Sequence, residues 1–319
     1  MLEKKIRILF HDSRGLHNDA ERITTSVRNV AFEKHFYPEI NLLKEELSEY
    51  KLQKVKVQIF LEHLCEKYLK YGEINVFVPN LEWCNGNDYS LLLQRTDIKI
   101  IAKTKNAFDI LKEIFKERVT YIPWCSMDMC DVRIQRVDEW LHVKGVSRLK
   151  QSQVLLETWI DHPEWPTLHI VCNGNSDRNG FLNIPIPARI SNNIILHQKT
   201  LSMETLKELM NTCSYHICPS LVEGFGHYIH EGMSTGATVV TTNGYPMNEI
   251  VETSWCRINS KSSIPIRLGT GFYVNKKDIE DCVNNIVRFK LFDHNTRMNW
   301  ETRLKAFEIN INEYILSML

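Results

Sequence analysis

Cys218-Pro219-Ser220-Leu221-Val222-Glu223-Gly224-Phe225-Gly226-His227-Tyr228-Ile229-His230-Glu231 is the stretch whose reading decides the fold. It follows a short apolar run, Tyr215–Cys218, with strand character, and it opens a helical pattern over 227–235. A strand that enters a helix through a glycine-bearing loop is the repeating unit of α/β proteins, and ligands bind there beyond the C-terminal strand edge. Gly224 and Gly226 let the backbone approach a ligand closely. The amides at the helix start, near Gly226 and His227, are free to meet an anion or a sugar oxygen. Glu231, one turn inside the helix, suits the paired hydroxyls of a ribose, and Glu223 suits hydroxyls on a second sugar. Phe225 and His227 flank the same turn. The plainer reading is a glycine-containing turn with two surface glutamates, because short motifs recur by chance.

The same alternation extends in both directions. Before it, the pattern predicts strands at 6–10, 74–78, 98–102 and 119–122, and helices at 18–35, 41–50 and 106–116. Val55–Leu61 reads equally as a strand or as the start of a helix running to Lys70. The series restarts with strands at 140–143, 167–172 and 194–197 and helices near 150–161 and 203–212, with Asn173-Gly174-Asn175 as a turn and 175–192 irregular. Strands at 237–242 and 271–274 and helices at 276–290 and 295–318 complete it. The expectation is α/β: two Rossmann-like domains facing across a cleft. An N-terminal domain spans 1–137 and a C-terminal domain 138–294. A final helix over 295–319 has an apolar stripe of Trp300, Leu304, Phe307 and Ile311 that must be buried.

Composition narrows the function classes. Lys plus Arg and Asp plus Glu are both 39, so the formal charge is zero, unlike the basic excess usual in nucleic-acid binders. The nine cysteines are an odd number, mostly within apolar runs, which predicts free thiols in a reducing, cytoplasmic compartment and not a disulfide framework. No cysteine or histidine spacing suits a metal. No apolar run approaches a membrane span, which leaves peripheral membrane contact open. The oligomeric state is not legible.

The residues from Cys218 to Val251 resemble the Glu-x7-Glu region of retaining glycosyltransferases of family 4 and their GT-B relatives. Glu231-Gly232-Met233-Ser234-Thr235-Gly236-Ala237-Thr238-Val239-Val240 is similar to that family's Glu-Ala-Met-x-x-Gly-x-Val-Val run, with Gly232 where Ala is usual, and Glu249-Ile250-Val251 resembles the loop beyond it. A second segment, Leu141 to Lys150, resembles the first strand of the family's donor domain, its glycine loop and its diphosphate-binding lysine. Lys150 matches that lysine, while Gly145 stands where many members carry an arginine; Arg148 is a candidate replacement. The resemblance implies a hexosyltransferase that moves a sugar from a nucleoside diphosphate sugar, with retention, to a hydroxyl of a glycan or other acceptor. It needs no cofactor and no metal.

It further implies donor contacts from Gly145, Ser147, Lys150, Gly224, Phe225, Gly226 and Glu231, and catalytic contacts from Glu223 and His227. In such enzymes the leaving phosphate helps to remove the acceptor proton. Acceptor-side candidates are Asn80, Glu82 and Lys103, each following an N-terminal strand; ordinary loop polarity explains each equally well. The loop at 10–19 keeps only Gly15 of the family's glycine-rich acceptor loop, and Ser126 and Asp128 fall at the hinge. The family's terminal helix crosses back to the N-terminal domain, which implies the same for 295–319. The metal-dependent GT-A class needs an Asp-x-Asp motif, which is lacking; Asp278-Ile279-Glu280-Asp281 reads as a solvated helix start. The alternatives are an epimerase-like or phosphorylase-like GT-B protein, and one that binds a nucleotide sugar without turnover.

Overall fold

The computed structural model describes residues 5–27, 31–37, 53–145, 147–172 and 191–319. The helix expected at 41–50, the turn at 173–175 and nearly all of the irregular stretch at 175–192 lie outside them. The chain forms two compact units, one of Met1–Ser126, Arg267–Gly269 and Thr302–Leu319, the other of Met127–Ile266 and Thr270–Glu301.

The first unit holds strands β1 (Lys5–His11), β2 (Ala31–Tyr37), β3 (Val55–Leu61), β4 (Gly72–Val78), β5 (Lys99–Ala102) and β6 (Val119–Tyr121). All pair in parallel, in the order β2-β1-β3-β4-β5-β6. The chain moves outward from β1 to β2 and then resumes on the other side with β3, so the strand order reverses between β1 and β3. Helices α1 (Arg14–Ser26), α2 (Glu66–Leu69), α3 (Gly86–Gln94) and α4 (Lys105–Phe115) connect the strands. Leu9, Phe60, Phe77 and Ile100 from four neighbouring strands meet Leu92, Leu111 and Phe115 from α3 and α4 in one core.

The helix expected over 18–35 ends at Ser26, and its last third is strand β2. The β-branched run Thr24-Thr25 and Val27 weakens a helix, and Val27 is already extended. The ambiguous run at 55–61 is a strand. Helix α3 was not expected, although Asn85 caps it in a reciprocal box with Asp88.

The second unit repeats the plan with β7 (Val137–Gly145), β8 (Leu168–Cys172), β9 (Ile194–His197), β10 (Cys213–Cys218), β11 (Thr238–Thr242) and β12 (Arg257–Ile258). Their order is β12-β11-β10-β7-β8-β9, again all parallel. The reversal here lies between β7 and β10. Helices α5 (Ser152–Asp161), α6 (Met203–Thr212), α7 (His227–Thr235), α8 (Met247–Ile250) and α9 (Lys276–Phe289) cover it. A hairpin of β13 (Ser262–Ile266) and β14 (Gly269–Tyr273) was expected only in its second strand. Its first strand is mostly exposed and so carries no alternating apolar signal. The core is rich in aromatics: Trp140 stacks on Tyr215 with centroids 4.7 Å apart, and Trp159 and Trp165 meet edge to face.

Residues 127–137, read from the strand pattern as part of the first domain, pack in the second unit. The Met129 amide donates to Ser234 Oγ at 2.9 Å, and Asn211 Oδ1 accepts from the Asp131 amide at 2.8 Å. Asp128 forms a two-pronged pair with Arg297 at 2.7 and 2.9 Å. The last helix, α10 (Thr296–Leu316), is divided between the units at residue 301. Phe307, fully buried, lies edge to face on Trp124 at 4.9 Å and under the Arg22 guanidinium in the first unit. Trp300 lies under Arg297 in the second. No helix among the described residues is long and apolar enough to cross a membrane.

Candidate functional site

In the second unit the strand order reverses between β7 and β10, and the loops leaving those two strands lie side by side. A parallel sheet opens a crevice at such a point because its neighbouring loops depart in opposite directions. Strand β7 ends in Gly145, whose φ of +57° favours glycine. Val146 lies outside the described residues, as does the Arg148 side chain. Ser147 Oγ accepts from the Leu149 amide at 3.1 Å and shapes the turn that presents Lys150. The β10 loop runs through Ser220 to Gly226, whose φ is +83°; a Cβ there would meet Ile229 Cδ1 at 3.1 Å.

Backbone bonds lock the two loops together. The Leu221 amide donates to Leu149 O at 2.7 Å, and the Phe272 amide donates to Leu221 O at 2.6 Å. Gln151 adds three bonds: its Nε2 donates to Pro219 O and Phe272 O, and its Oε1 accepts from the Val274 amide, all within 3.1 Å. It holds this position in a left-handed conformation at φ +48°. Nothing in the sequence marks Gln151, because its partners are far away along the chain.

The result brings Lys150 onto Glu223. Their charged groups form a direct ion pair, both largely shielded from solvent, and Ser220 Oγ donates to the same Glu223 oxygen at 2.5 Å. Burial alone would lower the Lys150 pKa, but Glu223, Cys218 and Glu231 outweigh it and the net direction is up. Lys150 is therefore a fixed cation at a helix-start crevice. Glu231, buried on α7, lies within electrostatic reach of it.

Helix α7 is buried along nearly its whole length. Tyr228 Oη donates to Leu141 O at 2.9 Å and ties it to β7. Phe225 stacks on His230 at 4.2 Å and meets His227 edge to face at 4.9 Å, so the aromatic between the two glycines is held from both sides. Gly232 has a local cause: a Cβ would lie 2.7 Å from His216 Nδ1 and 3.1 Å from Val239 Cγ2. His216, whose Nε2 meets Met210 O at 2.9 Å, occupies the space an alanine would need. The structure thus brings Gly145, Ser147, Lys150, Glu223, Gly224, Phe225, Gly226, His227 and Glu231 to two loops and one helix start.

These features match a known family. The family of glycosyl transferases group 1 matches residues 140–289. The second unit is a glycosyl transferases group 1 domain. The whole chain also has the GT-B fold of two Rossmann-like units. Sucrose-phosphate synthase from Thermosynechococcus elongatus superposes with a TM-score of 0.68 at 11% identity, covering 99% of this chain and 98% of that one. A glycosyltransferase from Rickettsia africae gives 0.61 at 13% identity over 100% and 99%. WaaG, a glycosyltransferase involved in lipopolysaccharide biosynthesis, gives 0.57 at 16% identity over 97% and 95%. No curated protein matches the chain in sequence. The glycosyl transferases group 1 domain includes both loops of the crevice and all of α7.

The first unit has its own cluster at the reversal between β1 and β3. His11 ends β1, and Glu62 and His63 follow β3. His63 Nδ1 meets Asp88 Oδ2 at 2.8 Å, and the His11 and His63 rings meet at 5.3 Å, steeply inclined. Burial and His63 lower the His11 pKa, while burial raises that of Glu62, which sits at a φ of +72°. A non-glycine residue there is backbone strain of the kind that gathers at functional sites. Asn80 Nδ2 donates to Glu62 Oε2 at 3.4 Å, which joins it to this group, and Glu82 is buried in the next turn. Lys103 has a different setting: its ammonium is buried against Asp19 at 3.0 Å, and Asp19 also accepts from Trp124 Nε1 at 2.6 Å. Sequence reading missed Glu62 and His63 because the run before them read equally as a strand or a helix start, and Asp88 because helix α3 was not expected.

Proposed function

We propose that the chain transfers a hexose, with retention, from a nucleoside diphosphate sugar to a hydroxyl of a glycan or other acceptor, in the cytoplasm. The observation that carries this reading is the Lys150–Glu223 pair, with Glu231 nearby, at the strand reversal of a glycosyl transferases group 1 domain. Lys150 and the amides at the start of α7 meet the diphosphate and stabilise the charge that builds on it as the sugar leaves. Glu231 accepts hydrogen bonds from the ribose hydroxyls. Glu223, released from Lys150 as phosphate arrives, holds hydroxyls of the transferred sugar beside His227. The departing phosphate takes the acceptor proton. A cation already fixed in the crevice supports a diphosphate site that works without a divalent metal. On the first unit, Asn80, Glu82, Glu62 and His63 supply hydrogen-bonding groups for the acceptor.

The test is a panel of nucleoside diphosphate sugars, assayed for donor hydrolysis and for transfer, with and without excess EDTA. At least one donor should be turned over, and its rate should survive chelation. Binding without hydrolysis or transfer would identify a non-catalytic sugar-nucleotide protein instead. Loss of transfer on chelation, restored by magnesium or manganese, would overturn the metal-free diphosphate site.

A further inference from the structure

The sequence contains no metal-binding spacing, yet the second sheet assembles a ligand set from three strands. Glu139 on β7, His169 on β8 and Cys213 on β10 place one carboxylate oxygen, one imidazole nitrogen and one sulfur all within 4.8 Å of one another. β10, β7 and β8 are neighbours, and each contributes from near its N-terminal end, the edge opposite the donor loops. Leu168 and Ile170 belong to the aromatic-rich core, so His169 between them points to the other face. The same alternation puts Glu139, next to core residue Trp140, on that face.

Cys213 would point inward with Tyr215 in a regular strand. The register shifts between Cys213 and Tyr215 against β7, and this irregularity turns the thiol toward Glu139 and His169. His169 Nε2 lies 2.9 Å from Glu139 Oε2, and its Nδ1 lies 3.0 Å from His197 Nε2 on β9. A ligating histidine commonly donates its second ring N–H to an outer partner that fixes its tautomer. His197 stands where that partner is needed.

We propose that Glu139, His169 Nε2 and Cys213 form a binding site for a zinc-class divalent cation, with His197 accepting from His169 Nδ1–H. Thiolate, imidazole and carboxylate together suit a borderline-soft ion such as zinc and not magnesium or calcium, which take oxygen ligands. Bonds of about 2.0–2.3 Å put tetrahedral ligands roughly 3.3–3.8 Å apart. The site reaches that by parting the Glu139–His169 contact and drawing Cys213 in. Cys213 and His169 are buried, whereas the Glu139 side chain is 32% exposed and leaves the fourth position to water. Binding transfers the Cys213 thiol proton to solvent. Occupancy at this edge ties β10, β7 and β8 together and stabilises the unit without entering the donor crevice.

Protein stripped with EDTA and exchanged into chelator-free buffer would be titrated with zinc by calorimetry and with cobalt(II) by absorption. One equivalent should bind per chain, with a near-ultraviolet thiolate-to-cobalt band and a rise in melting temperature that grows with zinc concentration. Cys213→Ser should abolish the band, and Cys213→Ser and His169→Gln should each weaken zinc at least tenfold. Cys65→Ser, in the first unit, should change neither. His197→Phe should weaken zinc while keeping the band. No stoichiometric binding at micromolar zinc, a wild-type cobalt spectrum without the thiolate band, or full affinity in Cys213→Ser would overturn the site. The wild-type spectrum decides even if a variant fails to fold.

Discussion

Lys150 and Glu223, 73 residues apart, neutralise each other where the loops after β7 and β10 meet. On the proposed reading a diphosphate competes with Glu223 for the ammonium, and the pair acts as a latch that ligand opens. Removing the acid and removing the base should then differ. Lys150→Ala should weaken every nucleoside diphosphate, with or without a sugar. Glu223→Gln should leave the free nucleotide bound as well as before or better, because Lys150 no longer has to part from a carboxylate, while the extra affinity contributed by the sugar falls. Calorimetry on both ligands with both variants reads this directly. Equal losses for the sugar nucleotide and the bare nucleotide in Glu223→Gln would remove Glu223 from the sugar.

Glu231 is buried on a helix whose other residues are packed, so its carboxylate has little freedom to move. Hydrogen bonds to a charged acceptor contribute about 1.5–3 kcal/mol. Glu231→Ala should therefore weaken the free nucleoside diphosphate roughly ten- to hundredfold, and 2′,3′-dideoxyribose analogues should bind wild type and variant alike. Unchanged nucleotide affinity in the variant would mean the ribose is held elsewhere.

The domain should also be acid-sensitive. His142 is fully buried on β7, its Nδ1 2.8 Å from Ile217 O and its Nε2 2.7 Å from Ser152 Oγ. Burial, aided by Lys150 and Lys144, lowers its pKa to about 4. Between the unfolded value near 6.5 and that value, the unfolded chain binds a proton that the folded chain refuses. Stability from this group is thus complete above about pH 6.5 and is lost as pH falls toward 4. His216, lowered to about 3 by burial, acts in the same direction. Urea midpoints should fall across this window, and His142→Asn should have a shallower decline. A midpoint flat from pH 7 to 4.5 would contradict the assignment.

What was legible in the sequence follows from how local each feature is. Glu223, Gly224, Gly226 and Glu231 lie within one strand–loop–helix segment, so spacing made them candidates, and it was the family resemblance that singled them out together with Lys150. Gly145 and Gly226 were legible as glycines and prove to need positive φ. Gly232 was visible as a departure, but its cause, the His216 ring from β10, was not. Asn80 was marked, yet its partner Glu62 was hidden by the strand-or-helix ambiguity of 55–61, since a short apolar run fits both periods. The Glu139–His169–Cys213 group was invisible because the sheet order, not sequence distance, makes those strands neighbours.

Gln151 joins three segments around the crevice, yet the sequence does not mark it. It links the β7 loop to Pro219 in the β10 loop and to Phe272 and Val274 around the end of β14, while its backbone sits in the left-handed region at φ +48° and ψ 35°. The side-chain bonds stabilise the fold and the backbone conformation opposes it, so two substitutions separate the effects. Gln151→Ala removes the bonds and keeps the strain; leaving part-buried carbonyls and an amide without partners should cost about 1–3 kcal/mol. Gln151→Gly removes the same bonds but relieves about 1 kcal/mol of left-handed strain. The expected order of urea midpoints is wild type, then Gly, then Ala. Because the bonds also set the spacing of the β7 and β10 loops, the proposed donor site implies that both variants bind nucleoside diphosphate more weakly, and by similar factors, even though their stabilities differ. If the alanine variant, which keeps the strain, matched wild type in both stability and nucleotide affinity, the three hydrogen bonds would contribute nothing and the loops would be held by the Leu149–Leu221–Phe272 backbone ladder alone.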